Sequence, residues 1–142
     1  MRTYLVVAHR TLVDQHLLDE LQALARTEPS RFHLIVPMRA PAGQAWTEGS
    51  VRAATQARLE EALATIRGLG LEADGEVGDG HPVEAVKQCL RRRDLDVDEV
   101  ILSTLPPGPS RWLRWDVPHR LAEAVSPIPV HHVMVTRTPT RA

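Results

Sequence analysis

The sequence predicts an α/β protein of three layers, an open five-stranded parallel sheet with helices on both faces. Strand-like and helix-like stretches alternate along the whole chain, the pattern that parallel sheets with crossover helices produce. The first strand candidate, Tyr4-Leu5-Val6-Val7-Ala8, is continuously apolar rather than alternating, as expected of a strand covered on both faces. A length of 142 residues, 43% of them hydrophobic, suits one hydrophobic core. A single domain over residues 1–135 is therefore expected, with the polar tail 136–142 fraying.

After the first strand, Asp14 can cap a helix whose apolar positions Leu17, Leu18, Leu21, Leu24 and Ala25 share one face, ending at Glu28-Pro29. The second strand is Phe32-His33-Leu34-Ile35-Val36, stopped by Pro37. A loop of about a dozen residues with Pro41, Gly43 and Gly49 follows, longer than most connections. Ser50 is read as opening the longest helix, with Val51, Ala54, Leu59, Ala62, Leu63 and Ile66 inward and Gly68 or Gly70 as its stop. Leu71 to Val77 makes a weaker third strand. Pro82 suits the first turn of a helix burying Val83, Val86, Cys89 and Leu90. Val97 to Leu102 is the fourth strand, Asp116-Val117-Pro118 resembles a helix start, and Pro129 to Val135 is the fifth strand.

Charge and cysteine content exclude several classes. Seventeen Lys and Arg against eighteen Asp and Glu give a net charge of -1, without the basic excess of a nucleic-acid or polybasic membrane protein. Cys89 is the only cysteine, which rules out an intrachain disulfide and suits a reducing cytoplasm. No apolar run approaches the roughly 18 residues of a membrane span.

In open parallel sheets ligands bind beyond the carboxyl ends of the strands, where the chain order reverses. The loops after strands one and four are therefore the places to search. The segment after strand four, from Ser103 to Asp116, holds hydroxyls at Ser103, Thr104 and Ser110, a turn glycine at Gly108, and guanidinium groups at Arg111 and Arg114 that can hold an anion. Trp112 and Trp115 can cover a flat ring, or can pack the segment onto the domain or a partner while the arginines stay solvated. After strand one, His9-Arg10-Thr11 offers a titratable imidazole beside a cation, or a loop histidine bonded to backbone with Thr11 helping the helix start.

Other patterns carry less. Gly75, Gly78 and Gly80 run G-x-x-G-x-G, not the dinucleotide order, and read as a tight turn. Gly108-Pro109-Ser110 begins like a nucleophile elbow, but Trp112 takes the place of its second glycine. Asp94, Asp96 and Asp98 lack the rest of a calcium loop, and His131 and His132, adjacent on a strand, point to opposite faces. Cys89 reads as packing rather than reactive. Neither a metal set nor a cofactor fingerprint stands out, and no enzyme activity is expected.

Gly80-His81-Pro82-Val83-Glu84-Ala85-Val86, Val97-Asp98-Glu99-Val100-Ile101-Leu102 and Pro129-Val130 together resemble the universal stress protein family, over nearly the whole chain from Leu5 to Val135. The resemblance implies strand order 3-2-1-4-5, homodimers through the final strand and, in one subgroup, nucleotide binding. That subgroup's motif, G-2x-G-9x-G-[S/T], falls on Ser103, Pro106, Asp116 and Val117, none of which matches; starting its second glycine at Gly108 moves the last two positions to Pro118 and His119. The family's acidic residue after strand one corresponds to His9. Pro106, Pro107 and Pro109 also remove three backbone N–H donors from the segment where the family cradles phosphate. The expected function is thus non-catalytic binding of a small anion or nucleotide through His9, Arg10, Arg111 and Arg114. The alternative is a ligand-free dimerisation or interaction module using the Trp112/Trp115 surface and the last strand.

Overall fold

The computed structural model describes residues 1–8, 15–38, 47–93, 96–104 and 111–134. In chain order the elements are β1 (Arg2–Ala8), α1 (Gln15–Thr27), β2 (Ser30–Pro37), α2 (Glu48–Gly68), β3 (Glu72–Gly78), α3 (Pro82–Arg93), β4 (Glu99–Thr104), α4 (Arg111–Val125) and β5 (Val130–Met134). The five strands form one parallel sheet in the order β3-β2-β1-β4-β5. The three-layer fold expected from the sequence and the strand order implied by the resemblance are both present.

Strand periodicity of two divides the core into two halves. Tyr4, Val6, Phe32, Leu34, Val36 and Ile101 face α1 and α2, where Leu17, Leu21, Leu59 and Ile66 meet them. Leu5, Val7, Ile35, Val100 and Leu102 face α3 and α4, against Val86, Cys89, Leu121 and Val125. β1 is central and fully covered, which accounts for its unbroken apolar run. At its start, Asp98 fixes the register with β4: the Thr3 N–H donates to the Asp98 carboxylate at 2.8 Å, and the Asp98 N–H donates to the Thr3 carbonyl at 2.8 Å.

Four local expectations change. The α2 cap is Thr47, not Ser50: the Ser50 N–H donates to Thr47 Oγ1 at 3.0 Å and the Thr47 N–H to Ser50 Oγ at 3.1 Å, a reciprocal capping box that draws Gly49 into the first helical turn. Thr55 rather than Ala54 sits in the buried stripe, because its hydroxyl donates back to the Val51 carbonyl at 2.7 Å and so needs no solvent. The glycines of the G-x-x-G-x-G run are not a single tight turn. Gly75 and Gly78 lie within β3, where a Cβ on Gly75 would come within 2.6 Å of the Leu34 carbonyl oxygen and one on Gly78 within 2.9 Å of Ala85 Cβ. Finally, α4 begins at Arg111 and carries Pro118 inside it, so Arg111, Trp112, Arg114 and Trp115 belong to a helix rather than a loop. Proline lacks the N–H for one helical bond, and the helix runs through it nonetheless.

The proposed cap Asp14 and the tail 136–142 lie outside the described residues. No helix among the described residues is long and apolar enough to cross a membrane.

Candidate functional site

The topological switch lies between β1 and β4. β1 pairs with β2 on one side and β4 on the other, and the helices that follow β1 and β4 pack on opposite faces of the sheet. In open parallel sheets such a divergence, at the carboxyl ends of the two strands, is where ligands bind. Ala8 and Ser103 are the last paired residues across this seam. Ser103 therefore belongs to the strand, not to the loop after it, and its parity with Ile101 places it on the α1 face. Its side chain is fully buried, and its Oγ finds no hydrogen-bond partner among the described residues. A buried hydroxyl left without any partner costs about 1–3 kcal/mol.

Thr104 closes β4, opposite Met134 of β5. Arg111 and Arg114 fall in the first turn of α4, at the end of a helix that carries the free N–H groups and positive dipole end attractive to anions. His9, Arg10, Thr11, Gly108 and Ser110 lie outside the described residues, as do the side chains of Thr104, Arg111, Trp112, Arg114 and Trp115. Of the predicted set, the described side chains thus bring Ser103 alone to the seam.

Farther along the same edge, a cavity of about 270 Å³ opens at the carboxyl ends of β2 and β3, lined by Met38, Arg52, Val77, Gly78, Asp79 and Gln88 among others. Arg52 comes from the first turns of α2, and Met38 is held there because its N–H donates to the Gly78 carbonyl at 3.0 Å. Asp79 accepts the His81 N–H at 2.9 Å, which shapes the entry to α3. Pro37, the stop signal of β2, was the sequence feature that could have drawn attention to Met38.

A second group of polar side chains went unnoticed in the sequence. His33, in the middle of β2, is buried; its Nδ1 lies 2.7 Å from Asp74 Oδ1 and its Nε2 lies 3.1 Å from Glu76 Oε1. Both acids come from β3, two residues apart and therefore on one face of the sheet. Buried Cys89 reaches the same spot from α3, so that one ligand atom each of His33, Glu76 and Cys89 lies within 4.8 Å of the others. A histidine inside an apolar strand, with acids at alternate positions of a neighbouring strand, was the available signal. It was hidden because strand adjacency is not written in the local sequence.

His131 and His132 obey the strand alternation. His131 Nε2 lies 3.3 Å from Glu20 Oε2 of α1, while His132, half-buried, faces away from it. Burial first, and the neighbouring His131 second, hold the His132 imidazole below its ordinary pKa.

No family model and no curated protein matches the sequence. Solved structures do match. A universal stress protein family member from Burkholderia pseudomallei superposes with a TM-score of 0.63 at 17% identity, over 92% of this chain and 94% of that one. A universal stress protein from Archaeoglobus fulgidus gives 0.62 at 16% identity, over 94% of each chain. A third, a universal stress protein in complex with cAMP, gives 0.57 at 14% identity, over 96% of this chain and 98% of that one. With five parallel strands in the order 3-2-1-4-5 and four helices to match, the chain has the universal stress protein fold.

Proposed function

We propose that the protein binds a small anionic ligand, a nucleotide foremost, in the crevice between the carboxyl ends of β1 and β4, and releases it chemically unchanged. The observation that carries this reading is the buried Ser103 hydroxyl, which lacks a partner among the described residues at the point where the fold places ligands. A universal stress protein of the same fold was solved in complex with cAMP, which supports a nucleotide as the first ligand to try. Arg111 and Arg114 at the start of α4, with His9 and Arg10 after β1, supply the side chains that attract the anion, and Pro106, Pro107 and Pro109 take three main-chain donors out of the segment before α4. The sequence offers no nucleophile with a base and an orienting group, which supports binding without turnover.

Isothermal titration with cAMP, AMP, ADP, ATP and inorganic phosphate tests this. One of the nucleotides is expected to saturate a single site, and Arg111→Ala to weaken it by about 10- to 150-fold, the worth of a charge-assisted hydrogen bond. Silence across the whole series overturns the reading. Incubation with ATP and magnesium is expected to return the nucleotide intact.

A homodimer through β5 fits the topology as well, since β5 is an edge strand of only five residues whose outer side no strand among the described residues covers. Sedimentation of the purified protein is expected to show a dimer.

A further inference from the structure

We propose that His33, Glu76 and Cys89 form a binding site for a divalent transition metal of the zinc class, with Asp74 as the outer carboxylate that orients the histidine. The site is separate from the β1–β4 crevice and does not depend on it: its residues come from β2, β3 and α3, on the sheet face opposite the one that carries Ser103.

The donor set is the first argument. One imidazole nitrogen, one carboxylate oxygen and one sulfur lie within 4.8 Å of each other. Zinc bonds of about 2.0–2.1 Å to nitrogen or oxygen and about 2.3 Å to sulfur place neighbouring tetrahedral donors about 3.3–3.6 Å apart. His33 Nε2 and Glu76 Oε1, at 3.1 Å, are already near that spacing, and small rotations of side chains close the remainder. A thiolate in the set selects zinc-like metals over magnesium and calcium, which prefer all-oxygen surroundings.

The outer contact is the second argument. Asp74 Oδ1, at 2.7 Å from Nδ1, accepts that nitrogen's proton and turns Nε2 toward Glu76, as in the carboxylate–histidine–metal arrangement. With a metal bound, that contact favours the tautomer in which Nε2 is the ligand.

Charge is the third. Without a metal, carboxylates face both nitrogens of a buried ring. A divalent ion takes the place of the Nε2 proton and of the Cys89 thiol proton. Ion, thiolate, Glu76 carboxylate and neutral imidazole then sum to zero net charge. Binding displaces any proton on Nε2 and the Cys89 thiol proton, and forms one metal–nitrogen, one metal–sulfur and one metal–oxygen bond. Three protein donors leave a fourth position for water. The approach runs past Glu76, whose side chain is 11% exposed, and the well-exposed Asp74 on the edge strand.

Titration of the full chain with Co²⁺, followed by absorption spectroscopy, tests the proposal. One equivalent is expected to bind with intense tetrahedral d–d bands and a thiolate-to-cobalt charge-transfer band, and one equivalent of Zn²⁺ to displace it. Because Cys89 is the only cysteine, that band in the unaltered protein already assigns the ligand. Cys89→Ala is expected to abolish the band, Asp74→Asn to weaken affinity 10- to 100-fold while keeping it, and Zn²⁺ to protect the thiol from alkylation. Weak uptake without a thiolate band, as surface histidines would give, overturns the site, and so does a failure to take up the ion at all. Neither outcome bears on the nucleotide titration.

Discussion

At the scale of single residues, the account turns on polar groups and glycines that the core surrounds. Ser103→Ala removes a hydroxyl that has no described partner, so folding stability is expected to stay level or rise slightly in urea unfolding while nucleotide affinity falls. A loss of stability by 1 kcal/mol or more, roughly the worth of an internal hydrogen bond, would mean that the hydroxyl serves the fold instead. Gly75→Ala forces a Cβ to within 2.6 Å of the Leu34 carbonyl oxygen and 2.9 Å of Leu59 Cδ1, and is expected to cost about 1–3 kcal/mol in the same assay. Gly68→Ala, with nothing within 4 Å, is the matched control and should cost nothing. His132 supplies a pH dependence. Its folded pKa lies below the ordinary 6.5, so the unfolded chain takes up the proton first. The stability this group contributes is complete above 6.5 and is lost as pH falls below that value toward the folded pKa. Urea midpoints for His132→Gln are expected to decline less than those of the unaltered protein across that window.

At the scale of elements, what could be read depended on whether the deciding contact was local. The stripe of α1 and the stop of β2 at Pro37 follow from spacing and proline chemistry, and both are present. The α2 start was misplaced by three residues because Thr47 and Ser50 are both good caps, and only their reciprocal bonds decide between them. Thr47→Ala is accordingly expected to cost about 1 kcal/mol of stability, and Ser50→Ala less, since it leaves the Thr47 bond to the helix N–H intact. The start of α4 was misread for the opposite reason. Pro118 looks like a first-turn proline, but seven residues of helix precede it. Gly75 and Gly78 carried no hint of their role, because the atoms that exclude a Cβ belong to β2, α2 and α3.

At the scale of the whole molecule, alternation of strands and helices was enough for the parallel sheet, and the resemblance supplied the order that places β1 between β2 and β4. The place of the proposed crevice, at the carboxyl ends of β1 and β4, follows from that order alone, and Ser103 lies there, paired with Ala8. The cluster of His33, Asp74, Glu76 and Cys89 could not be named in that way. It exists only after three elements distant in sequence are folded against each other. The most direct test of the crevice is chemical-shift mapping of backbone amides in the isotope-labelled protein during titration with cAMP. Saturable shifts concentrated at Ala8, Ser103, Thr104 and the first turn of α4 are the predicted result. Shifts confined to the β3 edge, or none at any concentration reached, would contradict it.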